Sequence, residues 1–178
     1  MKTTILKFFT LSVAIFAFST ISFGQQSQKG SATSSVTIIK PLTITNVRDL
    51  VFGSIVSSST NPVTVTALAE ADASVTATGF GAEEGNPLSV ASDTRTSAQF
   101  DITGEANQAF SVDLPDSVDM EGPGGSTMTV SLDMNLATSN NVLEGGVSVL
   151  YVGGSFTIPA NQTAGAYSKE FNVTVAYE

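Results

Sequence analysis

The 178-residue chain carries seven basic and sixteen acidic residues, and it has neither histidine nor cysteine. Their absence removes Ser-His-Asp and Cys-His nucleophiles, almost every zinc or copper site, any disulfide framework and any cysteine that could carry a lipid anchor. The acidic excess repels phosphate backbones and anionic headgroups, which argues against nucleic acid as a partner.

The first 24 residues read as a secretory signal peptide. Lys2 and Lys7 form a basic start, Phe8 to Ile21 is apolar but short, and Ser22-Phe23-Gly24 offers small residues for cleavage before Gln25. No membrane insertion is expected after its removal. Residues 25–178 would retain five basic and all sixteen acidic residues, a net charge of −11. That length suits one domain and can bury about two-thirds of its unfolded surface. Residues 25–35 are polar and without periodicity, so they read as a disordered leader. Residues 36–178 are then the folded domain.

From Val36 onward one strand-like run follows another. Val36 to Val47 is rich in β-branched residues, and Pro41 makes it an edge strand or two short strands with a kink. Leu50 to Ile55 reads as a short strand with a bulge at Gly53. Val63 and Val65 alternate with Thr64 and Thr66, and Val75 alternates with Thr76 and Thr78. Residues 99–103 and 110–114 alternate on either side of Gly104-Glu105-Ala106-Asn107-Gln108, which predicts a hairpin. After the turn at Gly122-Pro123-Gly124-Gly125, Met128, Val130, Leu132, Met134 and Leu136 share one face, opposite Thr129, Ser131, Asp133 and Asn135. Gly145-Gly146 and Gly153-Gly154 punctuate the next strands, and Phe171, Val173, Val175 and Tyr177 line one face of a terminal strand. No helical stripe of useful length is present. Many short strands with frequent turn signals predict an all-β protein, an immunoglobulin-like antiparallel β-sandwich.

The chemical candidates are few. Asp113, Asp116, Asp119 and Glu121 are dense enough to suggest calcium, but their spacing does not match an EF-hand loop, and solvated edge charges explain them. Glu83-Glu84 has no accompanying nucleophile, base or cofactor motif. Tyr151, Tyr167 and Tyr177 could form an aromatic platform, although tyrosines in strands usually pack with a wet hydroxyl. No catalytic, cofactor-binding or metal-binding residue is assigned.

Several segments, taken in order, resemble secreted bacterial proteins that carry the domain of unknown function 4402. They are Lys40-Pro41-Leu42-Thr43-Ile44-Thr45, Asp49 to Ile55, Ala98 to Glu105, Phe110 to Pro115, Met128-Thr129-Val130, Val152 to Ala160, Ala164 to Tyr167, and Phe171 to Tyr177. The resemblance covers nearly all of residues 36–178 and implies a secreted, β-rich protein with no catalytic residues to carry over. The ending, with Tyr177 next to last, is similar to that of pilin-like and spore-coat-U-like subunits. Residues 25–35 depart from assembled pilins, because they lack the alternating apolar residues of a donor strand.

These readings lead to a secreted, non-enzymatic structural or surface protein, a pilin-like or extracellular-matrix subunit. Its expected partners are further copies or surface-fibre components. The alternative is an adhesin-like binding module for glycan or a host surface. The polar leader predicts a soluble monomer whose terminal strand completes its own sandwich.

Overall fold

Alternation of Val, Ile, Phe and Met with Thr, Ser and Asp gives ten strands and no α-helix among the described residues. The computed structural model describes residues 28–72, 74–79, 87 and 94–178. The signal-peptide and Glu83-Glu84 readings lie outside them. Residues 28–37 belong to a separate unit, have no regular structure and are exposed. Residues 38–178 form the second unit.

The strands are β1 (Thr43–Arg48), β2 (Val63–Ala67), β3 (Val75–Thr78), β4 (Ala98–Thr103), β5 (Ala109–Asp113), β6 (Ser117–Glu121), β7 (Thr127–Met134), β8 (Asn141–Val142), β9 (Val147–Ile158) and β10 (Thr174–Tyr177). All pairings are antiparallel. Seven strands form one sheet, and β10, β5 and β8 form a second sheet in that order. The protein is therefore an all-β sandwich with unequal layers.

The twelve-residue β9 organises the larger sheet. Val152 pairs with both Ala98 of β4 and Met134 of β7, and Gly154 pairs with both Ala67 of β2 and Leu132 of β7. A strand has two edges, so β7 occupies one while β4 and β2 share the other end to end. Gly153 and Gly154 sit where these strands converge. A Cβ at Gly153 would collide with the Ala67 carbonyl, and one at Gly154 would lie 2.8 Å from the Ser131 carbonyl oxygen. These glycines are thus internal to one strand; they do not separate two strands.

Three further expectations are corrected. The predicted hairpin across residues 99–114 does not form, because β4 belongs to the large sheet and β5 to the small one. Its loop is a crossover whose Gly104 and Asn107 amides donate to the carbonyls of Gly146 and Leu143. Alternation marks a half-buried face without naming the strand's partner. Leu50 to Ile55 is not a strand; among the described residues its only ladder contact is the bridge from Val51 to Thr96. Gly53 takes φ 76°, which breaks the extended run. Finally, the strand expected from Val36 begins only at Thr43, beyond Pro41. Among the described residues β1 pairs with β4 alone, as an edge strand does.

The core falls into two clusters. The first lies between the sheets: Ala98, Ile102, Leu150 and Val152 of the large sheet meet Phe110 and Val112 of the small one, with Leu143 beside them. Phe171, Val173, Val175 and Tyr177 pack against it from the terminal run. The second comprises Val63, Val65, Met128, Val130, Phe156 and Ile158, all from the large sheet. No strand of the small sheet covers this second cluster. Phe52, Ile55 and Tyr167 from connecting segments cover it instead.

Candidate functional site

The uneven layering leaves a groove of about 720 Å³ over the second cluster. Its floor is the inward face of three strands: Val118 and Met120 of β6; Met128, Val130 and Leu132 of β7; and Phe156 and Ile158 of β9. One wall is Leu50 to Ile55, and the other is residues 162–169 with Phe171.

Each wall is held by identifiable contacts. Phe52 meets Phe156 edge to face, with ring centroids 4.8 Å apart and planes at 79°. Thr96 Oγ1 donates to the Asp49 carbonyl at 2.8 Å, and an Arg95 guanidinium nitrogen donates to the Ser54 carbonyl at 3.3 Å. On the other wall, the Tyr167 hydroxyl donates to the Thr163 carbonyl at 2.8 Å, accepts from Gln162 Nε2 at 2.9 Å and lies 2.8 Å from Ser126 Oγ. The Tyr167 ring lies so close to Gly122 that a Cβ there would overlap it. Ser168 and Glu121 exchange backbone hydrogen bonds at 3.0 and 3.1 Å.

At the rim, Lys169 Nζ donates to the Glu121 carboxylate at 2.6 Å. That bond holds the Glu121 carboxyl below its ordinary value and the Lys169 ammonium above its own. The pair's contribution is lost on acidification through the lowered carboxyl value and on alkalinisation through the raised ammonium value, so it is complete across the neutral range. Both groups are solvent-exposed, and the pair is weakly stabilising.

The backbone along one wall is underused. Among the described residues, residues 169–173 have no backbone–backbone hydrogen bond. One stretch of chain with unpaired amides and carbonyls, residues 169–173, therefore borders an apolar floor. This is the structural requirement for adding a strand.

The sequence candidates do not assemble into a chemical centre. Asp119 and Glu121 lie on the outward face of edge strand β6, where the Asp119 carboxylate accepts from Thr129 Oγ1 at 2.6 Å. Asp113 ends β5, and Asp116 is exposed before β6. Among the described residues, no group of three or more His, Cys, Asp or Glu could hold a metal ion. The tyrosines do not form a platform. Tyr167 belongs to the groove wall, Tyr151 lies on β9, and Tyr177 accepts from the Glu105 amide at 2.6 Å while donating to the Lys40 carbonyl at 2.9 Å.

Sequence reasoning missed the groove because it assigned Leu50 to Ile55 to a strand and overlooked β6. The alternation of Val118 and Met120 with Asp119 and Glu121 was the available signal for β6. A second surface lies on the outward side of the same sheet. There Thr64, Thr127, Thr129, Ser131, Ser155 and Thr157 border a trough of about 430 Å³.

No helix among the described residues is long and apolar enough to cross a membrane. No curated protein and no solved structure matches this chain. Residues 42–177 match the family model described as "Domain of unknown function (DUF4402)", a span covering every strand of the sandwich, and the protein belongs to that family.

Proposed function

We propose that this protein is a secreted, non-enzymatic structural subunit of the cell exterior, pilin-like in its immunoglobulin-like sandwich and built into a surface fibre or extracellular matrix. The observation that carries this reading is the groove, an apolar floor bordered by unpaired backbone. Such a surface suits main-chain pairing with another polypeptide better than turnover of a small substrate. The chain's lack of histidine and cysteine points the same way. The N-terminal pattern of Lys2, Lys7, the Phe8–Ile21 run and Ser22-Phe23-Gly24 supports export.

Electron microscopy and light scattering of the purified protein over a concentration series test this reading. Ordered oligomers or filaments are the expected outcome, and a monomer at every concentration contradicts it. A second reading, an adhesin-like module for glycan, draws on the hydroxyl-lined trough of β2, β7 and β9. Saturable glycan binding by a monomer, lost when Thr64 and Thr157 are replaced by Val, would favour it.

A further inference from the structure

We infer that residues 169–172 are a charge-gated strap: they can zip onto the open outer edge of β6, and the facing carboxylates of Asp119 and Glu170 hold them off it. The device lies within one copy of the chain; only its consequence for assembly rests on the subunit reading above.

The hydrogen bonds fix which edge of β6 is open. The Asp116 carbonyl accepts from the Leu132 amide of β7, whereas the Glu121 amide and carbonyl both bond to Ser168 on the other side. Successive residues of an antiparallel strand direct their backbone groups to alternate edges, so Ser117, Asp119 and Glu121 face away from β7. Among the described residues, Glu121 alone of these three has a backbone partner on that edge.

The strap is anchored at both ends in a register that permits closure. Ser168 bridges Glu121, and Thr174 pairs with Asp113, both antiparallel. Seven residues, 114–120, therefore lie between the anchors on one side and five, 169–173, on the other. Continuing the Glu121–Ser168 register sets Asp119 opposite Glu170 and Ser117 opposite Asn172. Leu114-Pro115-Asp116 is then left to turn the corner opposite Val173, and Pro115 has no amide to leave unpaired. The faces agree as well. Val118, Met120, Phe171 and Val173 are half-buried, whereas Ser117, Asp119, Glu170 and Asn172 are exposed.

Charge opposes the closure. Like charges directly opposite one another on neighbouring strands destabilise the pairing, and Asp119 would face Glu170 with Glu121 on the same face. The Lys169 ammonium is engaged with Glu121. The β7 residues paired with this face of β6, Thr127, Thr129 and Ser131, carry no charge. Reversing one member of the Asp119–Glu170 pair should therefore close the strap. A closed strap pairs its own backbone with the β6 edge and leaves neither for an incoming strand, so the same two carboxylates keep the border of the groove available to a partner.

The test is residue-resolved hydrogen exchange on dilute protein at neutral pH, comparing the native chain with E170K and with D119K/E170K. Both positions are exposed, so unchanged circular dichroism is expected. E170K sets opposite charges across the gap, and the double variant restores like charges with the sign reversed. In E170K the amides at positions 170 and 172 should slow by roughly fivefold or more, while those at 169 and 171 should not, because only alternate residues would face β6. The double variant should return both to native rates. That return separates the pair from net charge, which shifts in the same direction in both variants. Unchanged exchange in E170K, protection without the alternation, or protection that persists in the double variant overturns the strap. Light scattering of the same proteins reads the consequence: E170K should self-associate more weakly than the native chain. If E170K closes and associates as the native chain does, the strap stands and the role of the groove in assembly falls. If the native chain assembles and E170K does not close, the subunit reading stands and the strap falls.

Discussion

Tyr177 shows how one side chain can close this fold. Its ring packs against the first core cluster while its hydroxyl joins the Glu105 amide to the Lys40 carbonyl. It thereby ties the last strand both to the β4–β5 crossover and to the start of the domain. A Cβ at Gly104 would overlap that hydroxyl, so the glycine is required for the close approach. Removing the hydroxyl leaves the Glu105 amide without its partner. Tyr177→Phe should cost about 1–3 kcal/mol in chemical denaturation, with the midpoint lowered and the slope unchanged. Leu132 and Ser131 make the complementary case. Leu132 is half-buried and contacts both clusters, while Ser131 is exposed on the opposite face. Leu132→Ala should cost about 2 kcal/mol or more, and Ser131→Ala less than about 0.5 kcal/mol. Equal costs on denaturation would contradict the two-faced strand.

At the scale of elements, legibility depended on what alternation can report. The long run from Met128 was read correctly as one dry face and one wet face, and β7 has that pattern. The terminal strand was equally legible through Val175 and Tyr177. Partners were not, because period-two alternation is the same whichever strand lies alongside. That is why β4 and β5 read as a hairpin although they belong to opposite layers. Gly153 and Gly154 misled for another reason: a glycine that ends a strand and a glycine that lets three strands converge are identical in sequence. The groove depends on both kinds of information, so the sequence did not reveal it. The terminal run offers a direct check. Its apolar residues pack against the first core cluster, and β10 forms the ladder with β5. Deletion of residues 171–178 should abolish cooperative unfolding and the near-ultraviolet dichroism. A truncated protein with a native-like transition would show that the strand is dispensable.

For the whole molecule, two features act together. The domain supplies its own last strand, so the first cluster is closed within one chain. The second cluster is bordered by the unpaired backbone of residues 169–173 and, among the described residues, has no opposing strand. The proposed subunit role uses this difference: each copy folds alone, and its groove then pairs with another polypeptide of the assembly. The chain's formal charge of −9 opposes association between copies and should make it stronger as salt increases. Hydrogen exchange, read residue by residue at low and high protein concentration, tests the central claim most directly. The amides of residues 169–173 should exchange rapidly in the dilute monomer and slow markedly on assembly, while those of β9 remain protected throughout. Protection of residues 169–173 already in the dilute monomer, or rapid exchange that persists after assembly, would contradict it.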